Sequence, residues 1–418
     1  MARTLDVYLH EALAGQLMQD DGGQMSFHYT RDWLARPDAV PLSQSLPLRP
    51  KRFTGKECHG FFGGILPDEG KRAIIARNLG ISARNDYAML EQIGGECAGA
   101  VTFLQAGEKL PTLNPRYEKL SAKALAAILE ELPRRPLLAG DRGIRLSLAG
   151  AQDKLAVALI GGEVCLPLDG APSSHILKPA VERFPGIVSN EALCMHLAAA
   201  AGLPTARTTT DAVNGKEYLL VERYDRRRGG EPNTAGFERL HQEDFCQALG
   251  IASETKYQKE GGPSLPQCFT LLRQVSSVPA RDLGHLLDAV VYNYLAGNCD
   301  AHGKNFSLLY GRGGPSSGET SLAPLYDVLS TAAYPDLSLD MAMKLGGEYS
   351  SARIGLRNFE RLAEEAGLAK PLVRRRVREL AAAVLVALPP VEAVYPQAHA
   401  IAARIRERCL GLSSTRPT

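Results

Sequence analysis

The sequence predicts an α+β fold of two lobes, a mostly antiparallel strand-rich lobe followed by a helical one, with a small α+β domain in front of them. Three observations predict it. The dipeptides Gly161-Gly162 and Asn214-Gly215 each separate runs of β-prone residues, the signature of tight antiparallel hairpins. Further on, the apolar residues take a helical period instead, as in Leu283, Leu287, Val290, Val291, Tyr294 and Leu295. A chain of 418 residues that is 45% hydrophobic is also long enough to bury two or three domain cores.

Taken in order, residues 1–110 alternate short strand-like pieces, such as Leu5 to Leu9 and Ser26 to Tyr29, with turns. They then carry Phe61-Phe62-Gly63-Gly64-Ile65-Leu66-Pro67 and a helical stretch from Asp86 to Ile93. Nothing there has catalytic spacing, so the region reads as a small α+β packing domain. Residues 111–139 form a helical linker whose helix covers Ser121 to Leu132. Residues 140–225 are the strand-rich lobe. Leu155 to Ile160 and Val164 to Leu168 flank the first turn, and His175-Ile176-Leu177-Lys178-Pro179 is a short apolar strand. A helix opened by Ser189 as N-cap runs through Glu191, Leu193, His196 and Leu197 towards Gly202 and Pro204. The second turn leads into a strand from Glu217 towards Asp225. Residues 226–418 are helix-rich, with a helix opened by Arg239 to Gln247 and later ones at Phe359 to Ala366, Val373 to Leu388 and Ala398 to Leu410. Gly311 to Ser321 reads as a flexible connection and Met341 to Gly347 as a short strand.

Composition excludes several classes. A formal net charge of +2 demands no nucleic-acid partner, and the short runs Arg226-Arg227-Arg228 and Arg374-Arg375-Arg376 read as solvated faces. The eight cysteines are scattered with no metal-ligand spacing, and read as buried free thiols of a reducing cytoplasm. No apolar run reaches spanning length and no leader pattern opens the chain, so a cytoplasmic protein away from the membrane is expected.

The most informative stretch is Gly297 to Phe306, GNCDAHGKNF. Asp300 and Asn305 sit just after a helical run, and Asp327, in Leu325-Tyr326-Asp327-Val328, follows 22 residues beyond Asn305. That layout suits phosphoryl transfer, where catalysis comes from positioning a hydroxyl nucleophile and neutralising charge with Mg²⁺. Asp300 would accept or orient the hydroxyl, Asn305 would give the metal a neutral oxygen and Asp327 an anionic one. Two protein ligands suffice, because Mg²⁺ completes its octahedron with phosphate oxygens and water. Lys304 adds positive charge, and His302 and Gly303 belong to the same loop. Upstream, the small residues Ala149, Gly150, Ala151 and Gln152, with Asp153 and Lys154, would let backbone N–H groups approach ATP phosphates. Lys178 ends a strand where a kinase places its nucleotide lysine, with Glu191 as a loosely assigned anchor. Backbone groups of Glu222, Arg223 and Tyr224 would face adenine. Cys299 and His241 read as packing.

With these parts in order, the segments LSLAGAQDK, HILKP, SNEALCMHLA, VERYDR, RLHQEDFCQALG, NCDAHGKNFSLLY and LAPLYDVLSTA resemble the HipA family of serine/threonine kinases, the toxins of bacterial toxin–antitoxin pairs. The resemblance runs from about Ser147 to Gly347. It implies a bilobal protein-kinase-like fold, Ser147 as an autophosphorylation site, Asp300 as catalytic aspartate, Asn305 and Asp327 as metal ligands and Lys178 as nucleotide lysine. It also implies a HipB-like helix-turn-helix antitoxin as partner, operator DNA reached mainly through that antitoxin, and an aminoacyl-tRNA synthetase as protein substrate. A phosphoserine at Ser147 would bring about −1.5 to −2 charges to a triphosphate site and eject the loop. Two other readings stand beside this one. Small-molecule and lipid kinases also carry an aspartate and asparagine five apart, and the chain could serve as a catalytically vestigial component of an antitoxin–DNA complex.

Overall fold

The computed structural model describes residues 3–108, 110, 115–141, 143–229, 236–311 and 319–413. Most of the Gly/Ser-rich connection expected at 311–321 lies outside them. The fold is α+β, and the chain divides into two compact units.

The first unit comprises Met1–Pro179, Asp211–Glu254 and Ser307–Thr320. Its N-terminal part is an antiparallel sheet of β1 (Arg3–Leu9), β2 (Ala12–Gln19), β3 (Met25–Tyr29), β4 (Phe53–Thr54) and β5 (Val101–Gln105), in the order β4-β3-β2-β1-β5. Alternating apolar residues fill one face, with Leu5, Val7, Leu17, Phe27, Phe53 and Phe103 at 0% exposure. Phe62 packs its ring 5.2 Å from Phe27 and 5.9 Å from Phe103, which explains the apolar segment that begins at Phe61. The expected Asp86–Ile93 helix is present, capped by Asn85. The linker helix spans Ala122–Glu131 with Ser121 as its N-cap.

A second sheet, in this unit but for Thr208–Thr210, contains β6 (Arg116–Lys119), β7 (Leu155–Ile160), β8 (Glu163–Leu168), β9 (His175–Pro179), β10 (Thr208–Val213) and β11 (Lys216–Glu222), in the order β10-β11-β9-β7-β8-β6. Both predicted hairpins form. Asn214 and Gly215 have φ of 49° and 76°, the left-handed pair that a tight two-residue turn requires. The segment expected to open a helix at Arg239 behaves otherwise. Phe237–Arg239 and Gln242–Asp244 are strands, the latter paired with Ser307–Leu309, and only Phe245–Ala248 is helical. Long-range strand pairing takes the first half, and the reciprocal capping box of Asp244 and Gln247 starts the helix only at Phe245.

The second unit comprises Ala180–Thr210, Thr255–Phe306 and Ser321–Thr418, and is dominated by helices. Ile187–Ala200 begins two residues before the expected cap, after Gly186 at φ 71°, so Ser189 lies inside the first turn and accepts from Gln397 Nε2 instead. Pro279–Ala296 carries the predicted apolar period and ends at Gly297, φ 75°. Lys370–Val394 is longer than expected and contains Pro389 and Pro390. The short strand appears as Asp340–Leu345, turning back into Glu348–Ser350.

Arg374, Arg375 and Arg376 are tied to Glu360, Glu379 and Asp288. In the other basic run Arg227 and Arg228 are exposed, as expected of a solvated face, but Arg226 departs from it with a side chain only 1% exposed. All eight cysteines are buried and none is disulfide-bonded. Among the described residues no helix is long and apolar enough to cross a membrane.

Candidate active site

In the second unit the candidate catalytic loop leaves the Pro279–Ala296 helix and is held by its neighbours at almost every residue. Asn293 Oδ1 accepts from Asn298 Nδ2 at 2.7 Å, and Asn298 Oδ1 accepts from the Asp300 N–H at 3.2 Å. The Cys299 N–H donates to Thr331 Oγ1 at 2.8 Å, and Cys299 O accepts from the Ala342 N–H of the Asp340–Leu345 strand at 2.8 Å. His302 donates its N–H back to Asp300 O at 2.7 Å, and Asn305 donates to His302 O at 2.9 Å, closing one 3-10 turn. That turn folds the backbone of the five-residue interval between Asp300 and Asn305 back on itself. Cys299 is 4% exposed and packs, as expected.

The loop bearing Asp327 is brought to the same place. Tyr326 Oη donates to Lys304 O at 2.7 Å, so the residues immediately before Asn305 and Asp327 are hydrogen-bonded to each other. Leu325 makes a parallel bridge to Thr205, and Asn190 grips Ser330 through both its N–H and its carbonyl, at 2.8 and 3.1 Å. Between those anchors Asp327 is held at φ 58°, a left-handed conformation that a non-glycine residue keeps only when its surroundings impose it. The side chains of Asn305 and Asp327 each offer hard oxygen atoms, the donor type that suits Mg²⁺. Among the described residues no three His, Cys, Asp or Glu side chains gather as a metal site, so a metal here would rely on nucleotide oxygens for its remaining ligands.

The first unit holds the other candidates. Lys178 lies on β9 opposite Leu219 of β11 and is 5% exposed. Gly150, at φ 107°, lets the loop from Ala149 to Lys154 close on itself, and Lys154 Nζ donates to Ala149 O at 2.7 Å. A Cβ at Gly150 would stand 2.5 Å from that ammonium. Ser147 is 0% exposed. Its Oγ donates to Ile65 O at 3.0 Å and its N–H to Glu96 O at 2.9 Å. The loop is fastened further by the Asp68 N–H to Gly150 O and by the Lys71–Asp153 ion pair. Residues of the N-terminal sheet domain thus clasp the candidate phosphate loop, a role that nothing in their own sequence announces.

Of the three residues expected to face adenine, Arg223 is engaged by the scaffold. Its N–H donates to Ser174 O at 2.9 Å and its carbonyl accepts from Arg226. Its guanidinium, 2% exposed, binds Asp225 and Glu96. Tyr224 Oη donates to Gln242 Oε1 at 2.9 Å. Glu222 ends β11 with an exposed side chain. Glu96, which sequence reasoning passed over, is fully buried between Arg223, Arg226 and Arg239 and also accepts from Ser173. Burial alone would raise its pKa, but the three guanidiniums outweigh that and hold its carboxyl below the ordinary value.

Residues 146–388 match the HipA-like C-terminal domain and residues 5–104 the HipA N-terminal domain. The chain belongs to the HipA family. A Sinorhizobium fredii relative that bears the name of a kinase, Y4mE, is 47% identical over 90% of this chain and 89% of its own. The serine/threonine-protein kinase toxin HipA of Shewanella oneidensis is 29% identical over 93% of this chain and 91% of its own. The solved complex of Shewanella oneidensis HipA with HipB and its operator DNA superposes with a TM-score of 0.81 at 27% identity, covering 97% of each chain. The family places this chain among the kinases, and the fold just described agrees.

Proposed function

We propose that this HipA-family chain is an ATP- and Mg²⁺-dependent serine/threonine protein kinase that arrests growth as the toxin of a toxin–antitoxin pair. The observation that carries this reading is the convergence of Asp300, Asn305 and Asp327 on two hydrogen-bonded loops of one unit. Asp300 orients the acceptor hydroxyl and takes its proton. Asn305 and Asp327 hold the metal, while Lys178 and the Ala149–Lys154 loop, with its N–H groups and the Lys154 ammonium, bind the nucleotide phosphates. Glu222 and Tyr224 contribute to the adenine site, and His302, Gly303 and Lys304 shape and charge the catalytic loop. Mg²⁺–ATP held there would supply the γ-phosphoryl group and offset the charge that develops on transfer.

Ser147 is the self-limiting site. Because its hydroxyl is buried against Ile65 O, modification requires the loop to leave its seat, and the added charge then prevents its return. The partner is a HipB-like helix-turn-helix antitoxin, through which operator DNA is reached, as the composition of the solved Shewanella complex supports. The substrate is an aminoacyl-tRNA synthetase, whose modification would stop charging in the cytoplasm. Expression in a bacterial host lacking the antitoxin tests the reading. The unaltered chain arrests growth and D300N does not; arrest by D300N as strong as that by the unaltered chain would favour a binding role over catalysis.

A further inference from the structure

Asp300 has a partner that the kinase reading does not use. Tyr257, 43 residues upstream in sequence and in the same unit, donates its phenol Oη to Asp300 Oδ1 at 2.7 Å. Its ring meets His302 of the same catalytic loop edge-on, centroids 5.3 Å apart at 86°.

The segment carrying Tyr257 is built to hold it still. Tyr257 O accepts from the N–H groups of Glu260 and Gly262, both at 2.9 Å. Gly261 turns the chain at φ 105°, and a side chain at Gly262 would run into the carbonyls of Thr255 and Lys256 at 2.5 Å. Only the Gly-Gly pair lets the backbone fold back beneath the tyrosine. The next residues dock on the Asp340–Leu345 strand. Gln258 Oε1 accepts from the Lys344 N–H at 2.7 Å, Lys259 pairs with Asp340 at 2.6 Å, and the Lys259 ammonium sits 4.6 Å from the Tyr349 ring centre. That strand also receives Cys299 O through the Ala342 N–H. One strand therefore fixes both the catalytic loop and the segment that delivers the phenol.

We infer that Tyr257 is a positioning residue for phosphoryl transfer, setting the rotation of the Asp300 carboxylate so that the acceptor hydroxyl meets it in line. The Asp300 backbone is fixed by Asn298 and His302, but backbone bonds leave the side-chain torsions open. A rigid phenol donating to one oxygen closes them, and a charge-assisted hydrogen bond of this kind is among the stronger ones available. The inference rests on the kinase reading above.

The test is Y257F, which keeps the ring and its packing on His302 and removes only the hydroxyl. Phosphate transfer from Mg²⁺–ATP to casein and to the chain itself is followed with phosphatase-treated protein. The rate at saturating ATP falls by about 10- to 100-fold, the scale of a lost hydrogen bond to a charged group. The ATP concentration giving half the maximal rate and the melting temperature stay where they were. An equal or faster rate in Y257F overturns the inference and makes the tyrosine a blocker of the acceptor site. A rate that falls only together with weaker ATP dependence and a lower melting temperature overturns it in favour of a packing role. No transfer by the unaltered chain would defeat the kinase reading itself, an outcome distinct from either.

Discussion

Lys71 should control how often the candidate phosphate loop leaves its seat. The loop from Ser147 to Asp153 is held within the first unit by two hydrogen bonds from Ser147, a long one to Gly150 O, and the ion pair of Lys71 with Asp153. The ion-paired side chains are only 19% and 9% exposed, so their attraction is poorly screened and replacing the lysine would strand a buried carboxylate. K71M keeps most of the aliphatic stem and removes the charge. A hydrogen bond to a charged group contributes about 1.5–3 kcal/mol, and taking about 2 kcal/mol, the undocked fraction rises about 30-fold. Hydrogen–deuterium exchange of a peptide covering residues 146–154 reads this directly, since the Ser147 N–H is protected by Glu96 O only while the loop is seated. Exchange there should speed up by about that factor, with residues 187–200 unchanged. In the presence of Mg²⁺–ATP the same variant should accumulate phosphate on Ser147 sooner. Unchanged protection of the peptide in K71M would refute the clasp as the element that seats the loop.

Two further predictions concern the first unit. E96Q leaves three guanidiniums facing one remaining carboxylate, Asp225, in a site where the Glu96, Arg223 and Arg226 side chains are 0–2% exposed. Urea unfolding should show a loss of about 3–5 kcal/mol, and a loss below about 1 kcal/mol would contradict a paired, fully charged cluster. His59 donates from both ring nitrogens, to Asp86 at 2.5 Å and Glu254 at 3.0 Å, which only the imidazolium can do. These hydrogen bonds, Asp86 first and then Glu254, push its pKa up to about 10. Since the folded value lies above the ordinary 6.5, this stabilisation is full below about pH 6.5 and drains away as pH rises towards 10. The fall in melting temperature between pH 7 and 10 should therefore be shallower in H59Q, and identical slopes would rule out the charged imidazolium.

Much of this architecture was legible because it is written locally. The hairpins follow from Gly161-Gly162 and Asn214-Gly215 and the Asp86–Ile93 helix from its own pattern, and the loops bearing Asn305 and Asp327, singled out by their spacing, are hydrogen-bonded to each other. What escaped depends on partners distant in sequence. Nothing in the segment around Arg223 announces that Glu96, 127 residues away, binds its guanidinium. Nothing in the sequence around Tyr257 points to Asp300, which only the fold brings to it, although the Gly261-Gly262 pair behind it is a signal of a constrained turn. The Arg239–Gln247 stretch has apolar positions that suit a helix, yet strand pairing with Ser307–Leu309 takes its first half, because tertiary pairing overrides local propensity. Ser189 looked like a cap because serine favours that position, whereas the chain turns into its helix at Gly186.

The central claim is that Asp300, Asn305 and Asp327 form a working phosphoryl-transfer site. Purified, phosphatase-treated chain incubated with Mg²⁺ and ATP, beside D300N, and mapped by mass spectrometry tests it most directly. The account predicts phosphate on Ser147 of the unaltered chain and none on D300N. Equal phosphate on both, or none on an unaltered chain shown to bind ATP, would contradict it.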